Sequence, residues 1–378
     1  MDFALSDEQT MLKSGAERFI RESYAFEKRR ELAASDDGFS RDHWRSFAEL
    51  GWLALPFKEE DDGLGGSAVD VMLLMEQFGR GLVLEPYLST ILMAGGAISS
   101  MGSQSQRKRY LPAIMEGKSL AALAYVEPQG RYDLADINTK AEIDGKGWRL
   151  SGEKSVVLGG GSADVFVVLA RTSGALRDER GLSCFVLERG MDGLTVRDYR
   201  TTDGNRAAEL TFDAVALEPE ALLGPEDGAL PFINAVIDRA TAAVCAEAVG
   251  IMDAAVEKTR AYLLQRKQFG QPLAAFQSLQ HRLADMVIGL EQTRSLAYVA
   301  NIRADGDDPV ERARAVSAAK AEVARNGTFV VANAVQLHGG MGVSEELDIG
   351  TFFKRLHMIN ALFGDRIFHI RRHEDLVA

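Results

Sequence analysis

Two cations, a phenylalanine and a glycine lie at the seam between two strongly helical segments, in the stretch YLLQRKQFGQPLAAFQSLQ. Arg266 and Lys267 could close a helix that Gly270 ends, because cations offset the negative end of a helix dipole. That role explains the charges, but it does not explain Phe269 and the glutamines beside it. Arginine is also the side chain that pairs with phosphate through two parallel hydrogen bonds. The stretch alone leaves open whether these cations serve a ligand.

Three other motifs have simpler interpretations. The segment EEDDGLGGS has no Lys-Ser/Thr after it and no strand before it, so we interpret it as a connector and not as a phosphate loop.

His369 and His373 have the spacing of helical metal ligands, but the residues between them are cationic and no third ligand is evident. We therefore predict a solvated helix there and no metal site. The segment ERARAVSAAKAEVAR carries charges four residues apart and is interpreted as an exposed helix face.

Composition narrows the class of protein. The chain has 378 residues, a net charge of −12 and 46% apolar residues, which predicts an acidic protein of two or three domains that does not bind nucleic acid. Cys184 and Cys245 lie in unlike apolar contexts, so we expect two buried thiols and no disulfide. The N-terminal stretch has no leader pattern, and no apolar run has the ~20 residues that a membrane span needs. We expect a cytoplasmic protein.

The pattern along the chain predicts an α+β protein with three domains. Helical spacing dominates an N-terminal helical domain over 1–118, and alternation marks a central β-barrel-like domain over 119–225. Within the β domain, DGKG between two alternating runs predicts a hairpin. A C-terminal bundle of four long helices follows over 226–378. Asp308 and Pro309 should open one of these helices, which we expect to run to about Leu337.

The order of these domains, together with RKQFGQPLAAFQSLQHRLADM and QLHGGMGVSEE, resembles the acyl-CoA dehydrogenase flavoproteins over essentially the whole chain. The resemblance implies an N-terminal helical domain, a β domain and a four-helix bundle, with FAD bound between the last two. It also implies a dimer of dimers that oxidises an acyl-CoA and passes electrons to electron-transfer flavoprotein.

The same resemblance assigns a set of cofactor-binding residues. In the family, the Arg of the R-x-x-F-G motif reaches the pyrophosphate of the neighbouring subunit's FAD, and the rest of the set lies beside the ADP half. For HGGMG, a helix-ending glycine turn is the alternative interpretation, which the joint presence of both motifs disfavours. The matching positions here are Arg266, Gln268, Phe269, Gln277, Gln336, Gly339 and Gly340.

The chain departs from the family at the catalytic base, which in most members is the Glu of a Tyr-Glu-Gly-Thr turn. That turn reads Leu-Phe-Gly-Asp here, so Phe363 stands at the position of the base and cannot accept a proton. The alternative base position on an earlier helix is Ala240. Asp238 points elsewhere on that helix, and Glu247 lies about 10 Å further along its axis. Asp365 is a candidate replacement, set against the simpler role of stabilising a turn. The catalytic residue is therefore unknown.

The flavin-facing motifs of the β domain depart as well. The family's Tyr-x-x-Thr-Glu-Pro has Leu123 and Val126 in place of its hydroxyl residues, and the Ser of Gly-Ser-Asp is Tyr132. In the Trp-Ile-Thr-Asn-Gly motif, Val156 and Leu158 replace the indole and the hydroxyl. Side-chain hydrogen bonds to the flavin are lost, whereas the ADP-side set is intact.

These observations favour one function and leave two alternatives. The favoured function is a subunit of a heteromeric acyl-CoA dehydrogenase that completes the FAD site of a base-bearing partner chain. The first alternative is a self-sufficient homotetramer that uses Asp365 or another base. The second is a structural or acyl-CoA-binding partner without flavin.

Overall fold

A computed structural model describes residues 5–377, so residues 1–4 of the N-terminal stretch lie outside it. Contacts group the chain into two compact units. The first unit, called the helical unit below, comprises Met1–Glu31, Ser67–Val83 and Thr241–Ala378 within the described range. The second unit, called the sheet unit, comprises Leu32–Gly66 and Leu84–Ala240.

The N-terminal third of the chain is helical, and four of its α-helices start at serine caps. Ser6 and Ser67 each begin a helix with a capping box, in which side chain and backbone at the helix start exchange hydrogen bonds. A π-helical segment spans Leu88–Gly95. The α-helices are α1 (Asp7–Ser23), α2 (Phe26–Ala34), α3 (Arg41–Glu49), α4 (Ala68–Gly81), α5 (Gly96–Met101) and α6 (Gln104–Met115).

The sheet unit contains one mainly antiparallel eight-stranded sheet in the order β6-β7-β3-β2-β4-β5-β8, with β1 parallel to β4. Its apolar core includes Leu150, Phe166, Phe185 and Leu210, all fully buried. The strands are β1 (Ala121–Ala124), β2 (Lys140–Asp144), β3 (Gly147–Leu158), β4 (Val165–Arg171), β5 (Leu182–Glu188), β6 (Leu194–Arg200), β7 (Arg206–Leu217) and β8 (Leu222–Leu223).

The predicted DGKG hairpin is confirmed, because Asp144 pairs with Gly147 and Gly145 has a φ of 64°. On its other edge β3 pairs with β7, and the register of that pairing shifts between Lys154 and Val157. Val156 lies in this bulge with a φ of 50°, a left-handed conformation that a β-branched residue rarely adopts.

The C-terminal part of the chain is again helical. It contains α7 (Leu230–Gln265), α8 (Gln277–Ala304), α9 (Pro309–Glu322), α10 (Thr328–His338), α11 (Ile349–Ala361) and α12 (Arg366–Asp375), with the two-residue strands β9 (Lys267–Gln268) and β10 (Gln271–Pro272) after α7. Asp308 caps α9 by accepting hydrogen bonds from the Val310 and Glu311 amides, as predicted. The helix expected to run to Leu337 is interrupted by a π-helical turn at Val323–Gly327, where the Asn326 side chain donates to the Gly289 carbonyl.

Two predictions of exposure are wrong. His369, expected on a solvated helix, is 1% exposed, because the face of α12 that carries it packs against α9. Lys320 and Arg312, expected on an exposed face of α9, are 0% and 9% exposed. Lys320 follows Val316 by four residues and so shares its apolar face. The two cysteines are free and buried, as predicted.

The α+β fold class is confirmed, with helices, then a β-sheet, then helices along the chain. The boundaries at 118/119 and 225/226 stay predictions. Among residues 5–377, none of the helices combines the length and the apolar composition needed to cross a membrane.

Candidate functional site

The segment after α7 is a two-residue β-hairpin and not a simple helix terminus. Gln268 pairs with Gln271 and Lys267 with Pro272, so Phe269 and Gly270 form the turn. Both turn residues have positive φ, 55° and 80°, as a type I′ turn requires. Phe269 is 88% exposed, and its ring makes an edge contact with Phe276 at 6.0 Å between centroids. The hairpin therefore presents an aromatic ring and a cation to the outside of this chain.

The base of this hairpin contacts the end of α10. The ring of Tyr262, one helical turn before Arg266, stacks on the ring of His338 at 4.5 Å between centroids. Nδ1 of His338 donates to the Ala334 carbonyl at 2.8 Å, and burial lowers the pKa of this imidazole. A neutral, buried histidine thus joins the Arg266 hairpin to the glycine turn that follows α10.

That glycine turn needs a glycine at position 339 for its conformation, and it has open space beside Gly339 and Gly340. Gly339 has a φ of 60° and a ψ of −137°, a region that residues with a Cβ avoid. A Cβ added at Gly339 or at Gly340 would meet no atom within 4 Å. The backbone of this turn is therefore open to close approach by a ligand.

All seven residues predicted to bind the cofactor lie in the helical unit, and all seven are exposed on this chain. Gln277 is the first residue of α8, and Gln336 lies two residues before the end of α10. Within residues 5–377, no side-chain hydrogen bond or ion pair occupies the Arg266 guanidinium. A free cation, amide side chains, an exposed ring and an open glycine backbone fit a dinucleotide diphosphate and its adenosine. Their role in binding stays a prediction.

Neither position of the expected base holds a carboxylate. Phe363 is 8% exposed and has a φ of 61°, so an aromatic side chain occupies a left-handed position in the turn after α11. Ala240, at the alternative position on α7, is fully buried.

The carboxylates near these positions are buried or already engaged. Glu247 forms a bidentate ion pair with Arg355, through Nε at 2.6 Å and Nη2 at 2.8 Å, and such a paired carboxylate is not available as a base. Asp365 is exposed and caps α12 by accepting from the Phe368 amide at 2.8 Å. Asp238 is 2% exposed.

The sheet unit contains a buried ion pair that the sequence analysis missed. Lys154 Nζ donates to Glu127 Oε1 at 2.6 Å, and both side chains are at most 1% exposed. Burial raises the pKa of Glu127, but the Lys154 charge and hydrogen bonds from Lys154, Thr139 and Gln129 outweigh it and hold the pKa at about 2. The signal available in the sequence was Glu127 itself, a carboxylate that directly follows the changed motif positions Leu123 and Val126.

Four of the five changed flavin-side positions carry aliphatic side chains, which cannot hydrogen-bond, and the fifth is Tyr132. Leu123 is buried in β1, and the half-buried Val126 accepts through its carbonyl from the Ser155 amide at 2.9 Å. Val156 lies in the β3 bulge and is 39% exposed. Most of the flavin-side positions are therefore aliphatic, whereas Arg266 and the three glutamines of the ADP-side set are polar, and the contacts of both sets with a cofactor stay a prediction.

Comparison with known proteins gives full-length matches. Family models match in chain order: the acyl-CoA dehydrogenase N-terminal domain over residues 6–118, the middle domain over 122–215 and the C-terminal domain over 230–371. The short-chain specific acyl-CoA dehydrogenase of Clostridium acetobutylicum is 29% identical over 362 residues, which cover 92% of each chain.

Two solved structures have the same fold as this chain. A steroid ACAD variant, Tcur3481-Tcur3483, is 30% identical with a TM-score of 0.87 and covers 98% of each chain. The structure described as the electron transferring flavoprotein of Acidaminococcus fermentans is 26% identical with a TM-score of 0.92, covering 100% of this chain and 99% of that one. Because the family models together match more than half of its length, this chain belongs to the acyl-CoA dehydrogenase family of FAD-dependent oxidoreductases.

Proposed function

We propose that this chain is a subunit of an acyl-CoA dehydrogenase that lacks a base of its own and completes the FAD site of a base-bearing partner chain. The reaction of the complex is α,β-dehydrogenation of an acyl-CoA thioester. The partner's carboxylate would take the α-proton, and FAD supplies the acceptor for the β-hydride.

One observation carries this proposal. The carboxylates of the helical unit that could replace the base already form an ion pair or cap a helix, whereas Arg266, beside the β9–β10 hairpin, has no side-chain partner among the described residues. Glu247 is held by both nitrogens of the Arg355 fork, and Asp365 is used as a helix cap. Arg266 is exposed and free of side-chain partners among the described residues. Losing a positioned general base typically costs about 10²- to 10⁴-fold in rate, which is enough to silence a site.

The chain's own contribution would be binding and orientation. Arg266 would donate both arms of its guanidinium to the diphosphate of the partner's FAD, with Phe269 against the adenosine. The Gly339–Gly340 backbone, which has open space beside it, would let the same half of the cofactor approach closely.

The partners follow from the family and from its relatives. We propose electron-transfer flavoprotein as the electron acceptor and a second dehydrogenase-like chain in a dimer of dimers. The similar steroid ACAD bears two joined designations, Tcur3481 and Tcur3483, which is consistent with a heteromer. The acyl group is left at the class of fatty, dicarboxylic or sterol-derived acyl-CoA, and the cytoplasmic location stays a prediction.

The test compares the isolated chain with the assembled complex. The chain is purified alone and after co-expression with each base-bearing dehydrogenase chain of the same genome. Turnover is measured with butyryl-CoA, octanoyl-CoA and a steroid side-chain acyl-CoA, using a dye as electron acceptor. We expect no turnover by the chain alone and turnover by one yellow complex.

Variants of the hairpin connect that activity to this chain. Arg266→Ala should remove FAD from the complex, whereas Lys267→Ala, which deletes a neighbouring exposed cation, should leave it bound. Appreciable turnover by the isolated chain that Asp365→Asn abolishes would replace the proposal with a self-sufficient enzyme. A complex that forms and stays colourless would indicate a flavin-free partner.

A further inference from the structure

A lysine is fully buried beneath the turn that joins α11 to α12. Lys320 on α9 is 0% exposed, and its ammonium donates to the Gly364 carbonyl at 2.8 Å and to the Asn360 carbonyl at 3.3 Å. Within residues 5–377, no carboxylate lies within ion-pair distance of this ammonium. Main-chain carbonyls of the turn and of the last turn of α11 are therefore its hydrogen-bonding partners.

The segment that Lys320 holds, residues 362–365, is called the 362–365 turn. One of its residues adopts a backbone conformation that is unfavourable for its type, and another position is open only to glycine. Phe363 has a φ of 61°, which an aromatic residue rarely adopts, and Gly364 has a φ of 128°. A Cβ at Gly364 would lie 2.4 Å from Phe368 Cδ1 and 2.6 Å from His369 Nε2, so any side chain there would force these two rings to move. Such a turn persists only where its surroundings over-determine it.

The groups around Lys320 explain how the cation is tolerated. Burial lowers the Lys320 pKa to about 8, while Cys245 on α7 and Asp365 in the turn oppose that shift, so the amine stays largely charged at neutral pH. The carbonyls at the end of α11 carry the negative end of its dipole, which favours a cation there. On α12, His369 places Nδ1 3.3 Å from Ser317 Oγ, and burial lowers its pKa to about 3, so it adds no second charge.

We propose that Lys320 is the positioning residue of the 362–365 turn, fixing through the Gly364 and Asn360 carbonyls the direction in which the side chain at position 363 is presented. This inference rests on the proposed function, because it concerns the turn that carries the base in other members of the family. This chain has Phe363 at the position of the base, and the buried ammonium of Lys320 hydrogen-bonds the main chain of the same turn.

Hydrogen exchange on the whole chain tests whether Lys320 holds the 362–365 turn. Lys320→Met keeps the unbranched chain as far as Cε and removes both hydrogen bonds, so amides of residues 360–369 should exchange about tenfold faster. Because the same change also removes a buried charge, the urea midpoint of the chain should not fall. Val316→Ala, a fully buried position on the same helix, is the control and should lower the midpoint without selective exchange in the turn. A Lys320→Met protein that loses global stability with no local increase in exchange would overturn the proposal.

A gain-of-function pair tests the consequence for catalysis. Phe363→Glu places a carboxylate at the position of the family's base, and turnover of octanoyl-CoA by this variant is measured. Adding Lys320→Met to it should lower kcat at least about tenfold and leave KM unchanged. Equal kcat in the two proteins would refute a positioning role. If Phe363→Glu gives no turnover at all, the missing base is not what silences this chain. That outcome leaves the proposed function standing, because the side-chain hydrogen bonds to the flavin are lost in this chain as well, and the exchange experiment then decides the role of Lys320.

Discussion

Replacing Glu127 by glutamine should destabilise the sheet unit by about 3–5 kcal/mol, because it leaves the buried Lys154 ammonium without its counter-charge. The carboxylate has four donors: Lys154 Nζ at 2.6 Å, the Thr139 amide at 3.0 Å, the Asn138 amide at 2.7 Å and Gln129 Nε2 at 2.8 Å. A glutamine side chain places an NH₂ where one carboxylate oxygen was, and that NH₂ would face another donor.

The pKa of Lys154 shows why removing Glu127 should be destabilising. Burial lowers the Lys154 pKa to about 8 even with Glu127 present. Without the carboxylate, the unfavourable burial dominates the Lys154 pKa, with only a smaller opposing effect from Cys184, so Lys154 should lose its proton or distort the strand. Glu127→Gln combined with Lys154→Met removes both charges and should recover about 2 kcal/mol of the loss, since an apolar replacement of a buried pair is often neutral.

The assay is urea unfolding followed by tryptophan fluorescence. The three tryptophans of the chain, Trp44, Trp52 and Trp148, all lie in the sheet unit, so their emission reports on the unit that holds the pair. Asp144→Asn is the matched control: it breaks the exposed ion pair with Arg149 on the β2–β3 hairpin and should cost at most about 1 kcal/mol.

Two results would refute this reasoning. A loss below about 1 kcal/mol for Glu127→Gln would mean that the pair is not desolvated as the structure has it. A double variant no more stable than the single one would mean that the cost comes from the loop amides and not from the unpaired cation.

Three further predictions concern the helical unit. Gly364→Ala should cost about 2–4 kcal/mol in urea unfolding, because its Cβ would meet His369 Nε2 at 2.6 Å, whereas Gly340→Ala, with open space around it, should change stability by less than about 0.5 kcal/mol. His369 has a folded pKa of about 3 against 6.5, so its stabilising neutral form is lost as pH falls. Between about pH 6.5 and pH 3, His369 should contribute a decrease in unfolding free energy of about 1.4 kcal/mol per pH unit, and His369→Leu should remove that contribution. Arg266→Lys should weaken FAD binding by the assembled complex at least about tenfold in a fluorescence titration, because a lysine offers no bidentate fork.

The sequence predicted features that depend on neighbours in the chain. Asp308 caps α9 because its own side chain reaches the amides two and three residues on, and DGKG turns because Gly145 tolerates positive φ. The order of helices and strands follows from periodicity, which is also local. The resemblance then supplied the hairpin residues, although it gave no sign that Phe269 itself takes a left-handed turn position.

Features that depend on distant contacts could not be predicted in this way. Lys320 is spaced like a solvated charge, but its ammonium donates a hydrogen bond to the carbonyl of Gly364, 44 residues away. His369 is buried because α12 packs on α9, which places it against Ser317, 52 residues earlier. A charged residue three or four positions from Val316 and Ser317 was the signal available for Lys320, and it is ambiguous until the partner helix is placed.

The buried lysine bears directly on what the 362–365 turn is for. Burying an ammonium that pairs with carbonyls alone costs free energy, and an apolar residue at position 320 would avoid that cost. The cost is offset by what the cation holds, namely a turn in which Phe363 adopts a conformation that is unfavourable without support. If the turn had only to connect two helices, an unstrained loop would serve and Lys320→Met would be stabilising with no local effect. Faster exchange confined to residues 360–369 in a protein of undiminished global stability would instead mean that the cation maintains the geometry of the turn.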